Sequence, residues 1–258
     1  MLVLAISSIA VISGRHYELF VISHRALGVT MVLSAWMHTG LHTFNTAPKI
    51  YLLAFTGIWI VTRFLWVIGV LYRNLKFGKN FARAGIERAG NTLKVSLSPP
   101  REWELRPGQY LKLCNPTLAW YSFSQWHPFV IAGYERIDDG TIVSLLIREK
   151  RGFTRHLGRI ATTDRGLLAL IDGPYGTEIP LQKYGTILLF ASGIGIAGQL
   201  LYVRQVLQDY DERRTSCREM SLIWENDEET NEAALIEPEV NKIQAHAVSG
   251  PTFFFIQN

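Results

Sequence analysis

Two histidines fourteen residues apart, His24 and His38, are the first side chains in this 258-residue chain that invite chemistry. In an α-helix that separation is about 21 Å and nearly four whole turns, so both imidazoles fall on one side. In an apolar helix the pair suits two haems stacked across a bilayer, each taking one axial imidazole. Hydrogen bonding within a helix bundle satisfies the same spacing. His127-Pro128-Phe129 opens an apolar stretch much later. Proline removes a ladder donor and belongs at the first residues or the edge of a strand. Alone the triplet is an ordinary strand start, and in its surroundings it is a candidate cofactor contact. Arg148 ends the next strand pattern and Arg151-Gly152-Phe153-Thr154 follows. Thr154 is predicted to cap a short helix over 155–161. A helix N-terminus beside arginines can hold a pyrophosphate, although a solvated surface turn has the same composition.

Two further runs complete the candidates. Asp172-Gly173-Pro174-Tyr175-Gly176 reads as a tight turn whose tyrosine can stack on a ring. Residues 186–192 form a continuous apolar strand, followed by Gly193-Ile194-Gly195-Ile196-Ala197-Gly198 and a helix to about residue 209. Strand, glycine-rich turn and helix N-terminus together can cradle a nucleotide phosphate. Residues 220–224 and 252–256 read as further strands. Glu225 and Asp227 follow the first of these, where a ribose-binding acid would sit, and they leave NADH and NADPH both open.

These residues need elements to place them. Residues 19–37 and 50–72 are apolar runs of the length that crosses hydrocarbon, carrying His24 and Arg25 in the first and Arg63 in the second. Arg25 and Arg63 suit either snorkelling or a haem propionate. Arg73, Lys76, Lys79, Arg83 and Arg88 follow the second run, which places residues from 73 onward in the cytoplasm. Residues 2–13 read as the tail of a further helix, because Lys and Arg are absent before Arg15 and no small-residue cleavage site is clear. His16 and His42 lie at the membrane edges. Residues 91–98, 107–113, 129–134 and 141–147 alternate like strands between turns, which predicts a small antiparallel barrel. Hydrophobic residues make up 48%, mean hydropathy is +0.11 and net charge is +4. The basic excess lies after a membrane run, so nucleic acid is not implied. Cys114 and Cys217 lie far apart and predict neither a disulfide framework nor a zinc site.

This order of parts resembles the ferric reductase transmembrane family, the fungal metalloreductases related to the NADPH oxidases. The resemblance runs along almost the whole chain. It rests on Tyr17-Glu18 before His24 and His38, on Arg106-Pro107-Gly108-Gln109-Tyr110 and on His127-Pro128-Phe129. Leu146-Ile147-Arg148 with Gly152-Phe153-Thr154, Gly173-Pro174-Tyr175-Gly176, Tyr184-Gly185-Thr186 and residues 191–199 complete it. It implies a mixed fold. Transmembrane helices (1–77) come first, then an antiparallel β-barrel FAD domain (78–182), then an incomplete ferredoxin-reductase-like α/β nucleotide-binding domain (183–258). It implies FAD contacts at His127, Pro128, Phe129, Val130, Ile147, Arg148, Gly152, Phe153 and Thr154. Nicotinamide-nucleotide contacts are implied at Gly173, Tyr175, Gly176, Ser192, Gly193, Ile194, Gly195, Ile196 and Ala197. It implies haem b on His24 and His38. NADPH would give a hydride to FAD on the cytoplasmic side. Single electrons would then pass by the His24 haem and the His38 haem to a metal chelate or oxygen across the plasma membrane.

Against the family pattern, the earlier helices with the other histidine pair and the distal nicotinamide segment are missing. The expectation is a chain truncated at both ends, either a fragment, a truncated gene model or an inactive product. Second haem ligands would then come from missing helices or a partner subunit. Superoxide production and non-catalytic flavin binding are the alternative outcomes on this scaffold. The Arg15-His16-Tyr17-Glu18 entry and Gln199 favour metal reduction.

Overall fold

The structure is a computed structural model describing residues 17–40, 47–78, 81–117, 125–138, 140–150, 152–160, 167–225, 233–246 and 252–257. The expectations for residues 2–13, Arg15, His16, His42, Arg151 and Asp227 lie outside the described residues. The chain divides into two compact units, 1–69 and 70–258.

In the first unit, α1 runs Tyr17–Gly40, and most of α2 (Ala47–Asn74) follows. Both expected spans are there, and each is long and apolar enough to cross a membrane. Leu33, Ile50, Ile58 and Phe64 are exposed, as suits helices whose surroundings are apolar. Trp36 Nε1 donates to Thr56 Oγ1 at 3.1 Å and ties the two helices together. His24 and His38 are both exposed on α1, about 40° apart around its axis by helical geometry. Phe20 packs against the His24 ring, centroids 5.3 Å apart.

The second unit begins with antiparallel strands: β1 (Arg83–Ala89), β2 (Thr92–Ser98), β3 (Tyr110–Cys114), β4 (His127–Ile137) and β5 (Gly140–Arg148). Helix α3 (Phe153–Ile160) precedes β6 (Leu167–Leu168) and β7 (Leu170–Tyr175). Their order is β6-β1-β2-β5-β4-β3-β7. Only Ala169 separates β6 from β7, so the two ends of the sheet are one run of chain and the sheet returns on itself. The Ala169 N–H donates to the Ala82 carbonyl at 2.9 Å. Alternate residues fill the interior: Leu93, Val95 and Leu97 of β2, Leu111 and Leu113 of β3, and Val143, Leu145 and Ile147 of β5.

Three elements differ from expectation. Residues 172–175 are not a tight turn but the second half of β7, because β3 supplies a pairing edge, with Lys112 opposite Asp172. Helix α3 starts at Phe153, so Thr154 sits in its first turn and is not its cap. β1 is a strand by virtue of its seven-residue register with β2, although it turns few apolar side chains inward.

The unit continues with β8 (Thr186–Ser192), a single 3-10 turn (Gly193–Ile196), α4 (Ala197–Asp211), β9 (Glu219–Glu225), α5 (Ala233–His246) and β10 (Thr252–Gln257). The strands are parallel in the order β10-β9-β8. Both crossovers step the same way, so right-handed connections put α4 and α5 on one face. Leu188 and Phe190 on β8 are exposed.

Candidate functional site: the outer face at the start of β4

Side chains on a strand alternate between faces, and this divides the expected flavin motif. His127, Phe129 and Ile131 turn to one side of β4. The His127 ring stacks on Phe153, centroids 4.2 Å apart and 18° from parallel, and Phe129 lies 6.3 Å from the same ring. Phe153 and Ile131 are buried in the barrel core. Pro128 and Val130 turn to the other side and are exposed. The two expected motifs therefore meet, through the inward rings, while Pro128 and Val130 present the outer surface. On β5 the same pleat buries Ile147 in the barrel, turns Leu146 into the second apolar cluster with Ile196 and Leu200, and leaves Arg148 half-exposed.

Pro128 also sits where its missing donor is harmless. Pairing of β4 with β5 begins at Ile131 opposite Leu145, so Pro128 faces only Lys112 of β3. The Ile131 N–H points toward β3, reaching the Gln109 carbonyl at 3.1 Å. By alternation the Pro128 nitrogen points the other way, where no β5 residue pairs.

The loop from β5 into α3 is tied down locally. Thr154 Oγ1 accepts the Lys150 N–H at 2.7 Å and donates to the Lys150 carbonyl at 3.2 Å. The expected capping hydroxyl thus closes the loop instead. Gly152 and the first turn of α3 follow this closure, with Arg148 before it.

The expected nucleotide turn is part open and part core. Ser192 and Gly195 are exposed, Ile194 is half-buried, and Ile196 and Ala197 pack inside. The Gly193 carbonyl accepts the indole N–H of fully buried Trp224 at 2.9 Å, which fixes the turn on β9. Glu225 lies opposite Ser192 across the β8–β9 ladder, so a carboxylate does stand beside the turn. Gly198, at the start of α4, faces Val130: a β-carbon there would meet Val130 Cγ1 at 4.0 Å.

Gly173, Tyr175 and Gly176 lie against β3 and the loop before it. A β-carbon on Gly176 would come within 2.6 Å of the Gly108 carbonyl oxygen, and φ there is +103°, so only glycine fits. The Tyr175 hydroxyl donates to Asp172 Oδ1 at 2.6 Å. Its ring is flanked by Tyr110, Lys112 and Arg73. Burial first, and then the Asp172 hydrogen bond, pushes the Tyr175 phenol up to about 12.

Spacing along the sequence gave no signal for the groups that support this face. Asn74, at the end of α2, is 2% exposed. Its amide donates to the Ile171 carbonyl at 2.7 Å and accepts the Ile171 N–H at 2.8 Å, standing in for a neighbouring strand along β7. Beside it Arg73 pairs with fully buried Asp172 at 3.2 Å. Arg101 closes the end of α2 by donating to the Tyr72 and Leu75 carbonyls at 2.6 and 3.0 Å. Arg204 of α4 lies 4.1 Å from the centre of the Tyr134 ring and donates to the Tyr134 carbonyl, joining α4 to β4. Cys114 and Cys217 are buried thiols outside any disulfide. Burial pushes Cys114 up to about 11 and raises Cys217. No cluster of three or more metal-ligating side chains occurs among the described residues.

Comparison with known proteins agrees with this layout. The profile described as an FAD-binding domain matches residues 79–179. Ferric/cupric reductase transmembrane component 2 of Saccharomyces cerevisiae is 28% identical over 206 residues, 76% of this chain and 26% of the yeast protein. Ferric reductase transmembrane component 6 of the same yeast is 29% identical over 232 residues, 83% of this chain and 30% of that protein. Respiratory burst oxidase homolog protein F of Arabidopsis thaliana is 28% identical over 141 residues, 46% of this chain and 14% of that protein. Among solved structures, an NADH-dependent reduced ferredoxin-NADP oxidoreductase shares the fold. It is 14% identical with a TM-score of 0.51, covering 70% of this chain and 61% of that one. The chain is thus similar to the ferric reductase transmembrane components of yeast and to a respiratory burst oxidase homolog, and spans 26–30% of the length of the two yeast proteins just compared.

Proposed function

We propose that this chain is the flavin-bearing part of a membrane metalloreductase that carries electrons from NADPH to Fe(III) or Cu(II) chelates on the far side of the membrane. The observation that carries the reading is that His127 stacks on Phe153 at the start of α3, centroids 4.2 Å apart, which joins the two expected flavin motifs beside the outer face of Pro128 and Val130.

The residues on that face fit FAD. Arg148 and the first-turn N–H groups of α3 supply positive charge and donors for a pyrophosphate. Pro128 and Val130 offer an apolar surface for a flat ring. His127, Phe129 and Ile147 act from inside, holding the strands in place. Bound there, FAD supplies the conversion of a two-electron hydride donor into single electrons, which a metal ion accepts one at a time. The chain's own part is to bind and orient. Ser192 and Gly195 border the proposed nicotinamide nucleotide, with Glu225 beside them. Gly193, Ile194, Ile196 and Ala197 shape that turn, and Gly173, Tyr175 and Gly176 brace β7 behind it. By balance, one NADPH and two Fe(III) give NADP⁺, a proton and two Fe(II).

For haem b, α1 offers one imidazole per site, at His24 and His38. Neither α1 nor α2 contains another histidine. A bis-histidine site therefore draws its second ligand from outside these two helices. In the membrane the barrel and the α/β layer stand on the cytoplasmic side, following the basic residues after α2.

The test is extraction of the membrane-bound chain in mild detergent, with flavin content measured before and after an Arg148→Ala substitution. Alongside it, NADPH-dependent reduction of a ferric chelate is compared with superoxide yield. Retained flavin, lost on substitution, supports the reading. A chain that pellets with membranes but carries no flavin overturns it, and superoxide without metal reduction moves the activity to the oxidase class.

A further inference from the structure

The loop leading from β5 into α3 is held from behind by three groups that the flavin reading does not use. Glu149 follows Arg148 directly, and its N–H donates to the Asn91 carbonyl at 2.7 Å. Its carboxylate, with 13% of the side chain exposed, lies 2.9 Å from Arg88 Nη2. The same carboxylate lies against α3, where a β-carbon on Gly158 would meet Glu149 Oε2 and push the carboxylate aside. Arg88 completes the arrangement, reaching the Gly158 carbonyl at 3.5 Å and the Gly90 carbonyl at 3.1 Å. A buried-side carboxylate is thus sandwiched between a guanidinium and the backbone of a helix.

This arrangement does two things. It sets how closely α3 approaches the loop, since the helix rests on the carboxylate. Alanine is the better helix former, yet Gly158 is the residue that leaves the carboxylate room. It also neutralises a negative charge one residue from Arg148. An uncompensated carboxylate there would repel an incoming pyrophosphate.

We propose that Arg88, Glu149 and Gly158 are positioning residues for the cofactor pyrophosphate, fixing the start of α3 and screening the Glu149 charge. The proposal rests on the reading of Arg148 and Gly152–Thr154 as the flavin-binding loop. It does not place any of the three in contact with the cofactor.

The experiment is a double-substitution cycle read by FAD affinity, titrating flavin into deflavinated full chain in detergent and following its fluorescence. Gly158→Ala is expected to weaken FAD about tenfold, although helix propensity by itself predicts a gain in stability. In a Glu149→Ala background the same substitution is expected to have no effect, because the atom it displaces is gone. A second pair covers the case in which Gly158→Ala does not fold. Arg88→Ala, at a half-exposed side chain, should weaken FAD several-fold (about 3- to 10-fold), and adding Glu149→Gln should restore most of it. The visible circular dichroism of the bound flavin gives a readout that a general loss of stability would not move.

Equal losses in both backgrounds, or no rescue by Glu149→Gln, would overturn the proposal. Arg148→Ala in the same titration separates the two levels. If it leaves FAD affinity unchanged, the flavin reading fails and this inference falls with it. If it abolishes binding while the cycle shows no coupling, only the positioning role fails.

Discussion

Replacing Asn74 by alanine should destabilise the barrel far more than its place at a helix end suggests. The side chain serves both backbone groups of Ile171 on β7, at 2.7 and 2.8 Å, and is itself 2% exposed. Alanine keeps the helix but leaves the Ile171 N–H and C=O unpaired and buried. Each such group costs about 1–3 kcal/mol, so the loss is about 2–6 kcal/mol. For a unit of this size a kilocalorie moves Tm by roughly 2–4 °C, which puts the fall at about 4–24 °C. The assay is thermal unfolding of the second unit in detergent, followed by tryptophan fluorescence, together with hydrogen exchange at the Ile171 amide. Protection of that amide should drop by about 1.5 to 4 orders of magnitude, the exchange equivalent of the same free energy. A Tm within about 1 °C of the unsubstituted chain, or an Ile171 amide that stays protected, would refute the idea that Asn74 substitutes for a strand.

Tyr175 gives a pH prediction. Its folded pKa is raised to about 12 from the ordinary tyrosine value of 10.0, so the folded protein keeps the proton where the unfolded chain gives it up. The contribution is fully present below pH 10.0, declines above it, and is lost as pH approaches about 12. Tyr175→Phe should remove that part of the alkaline loss in a stability–pH profile, whereas an unchanged profile would assign it elsewhere. Cys114 and Cys217, buried and with raised pKa values, should resist alkylation in the native protein at pH 8 and react on unfolding. Mass spectrometry of the labelled thiols checks this, and rapid native labelling would contradict the burial. Trp224→Phe should cost about 2–4 kcal/mol in chemical denaturation, from lost packing and from the Gly193 carbonyl left unpaired. A neutral result would mean that the indole does not brace the turn.

Several elements were legible in the sequence because they depend on local pattern. Helices α1 and α2 follow from apolar runs that no loop could sustain, and β2, β3, β4 and β5 follow from alternation and flanking turns. Strand β8 and its glycine turn were equally plain. β1 was not, because Arg83–Ala89 is charged and turns little apolar surface inward. It becomes a strand by pairing with β2. Helix α5 carries Pro238 within it and mixes acids with apolar residues, which obscured its period. Residues 172–175 have the composition of a turn, and β3 made them a strand.

The candidate site divides the same way. Sequence order alone identified His127-Pro128-Phe129, Arg148 and Gly152-Phe153-Thr154 as belonging together, because a motif keeps its residue types and spacing. Which of them face outward was decided by the pleat of β4 and β5, which turns His127, Phe129 and Ile147 inward and leaves Pro128, Val130 and Arg148 outside. Thr154 kept its importance but exchanged a cap for a loop closure. The supports, Asn74 on Ile171, Arg204 on Tyr134, and Glu149 between Arg88 and Gly158, join residues up to 97 positions apart. Local chemistry fixes what each residue can do. Only the folded sheet, by bringing distant backbone groups to one edge, decides which partner each one meets.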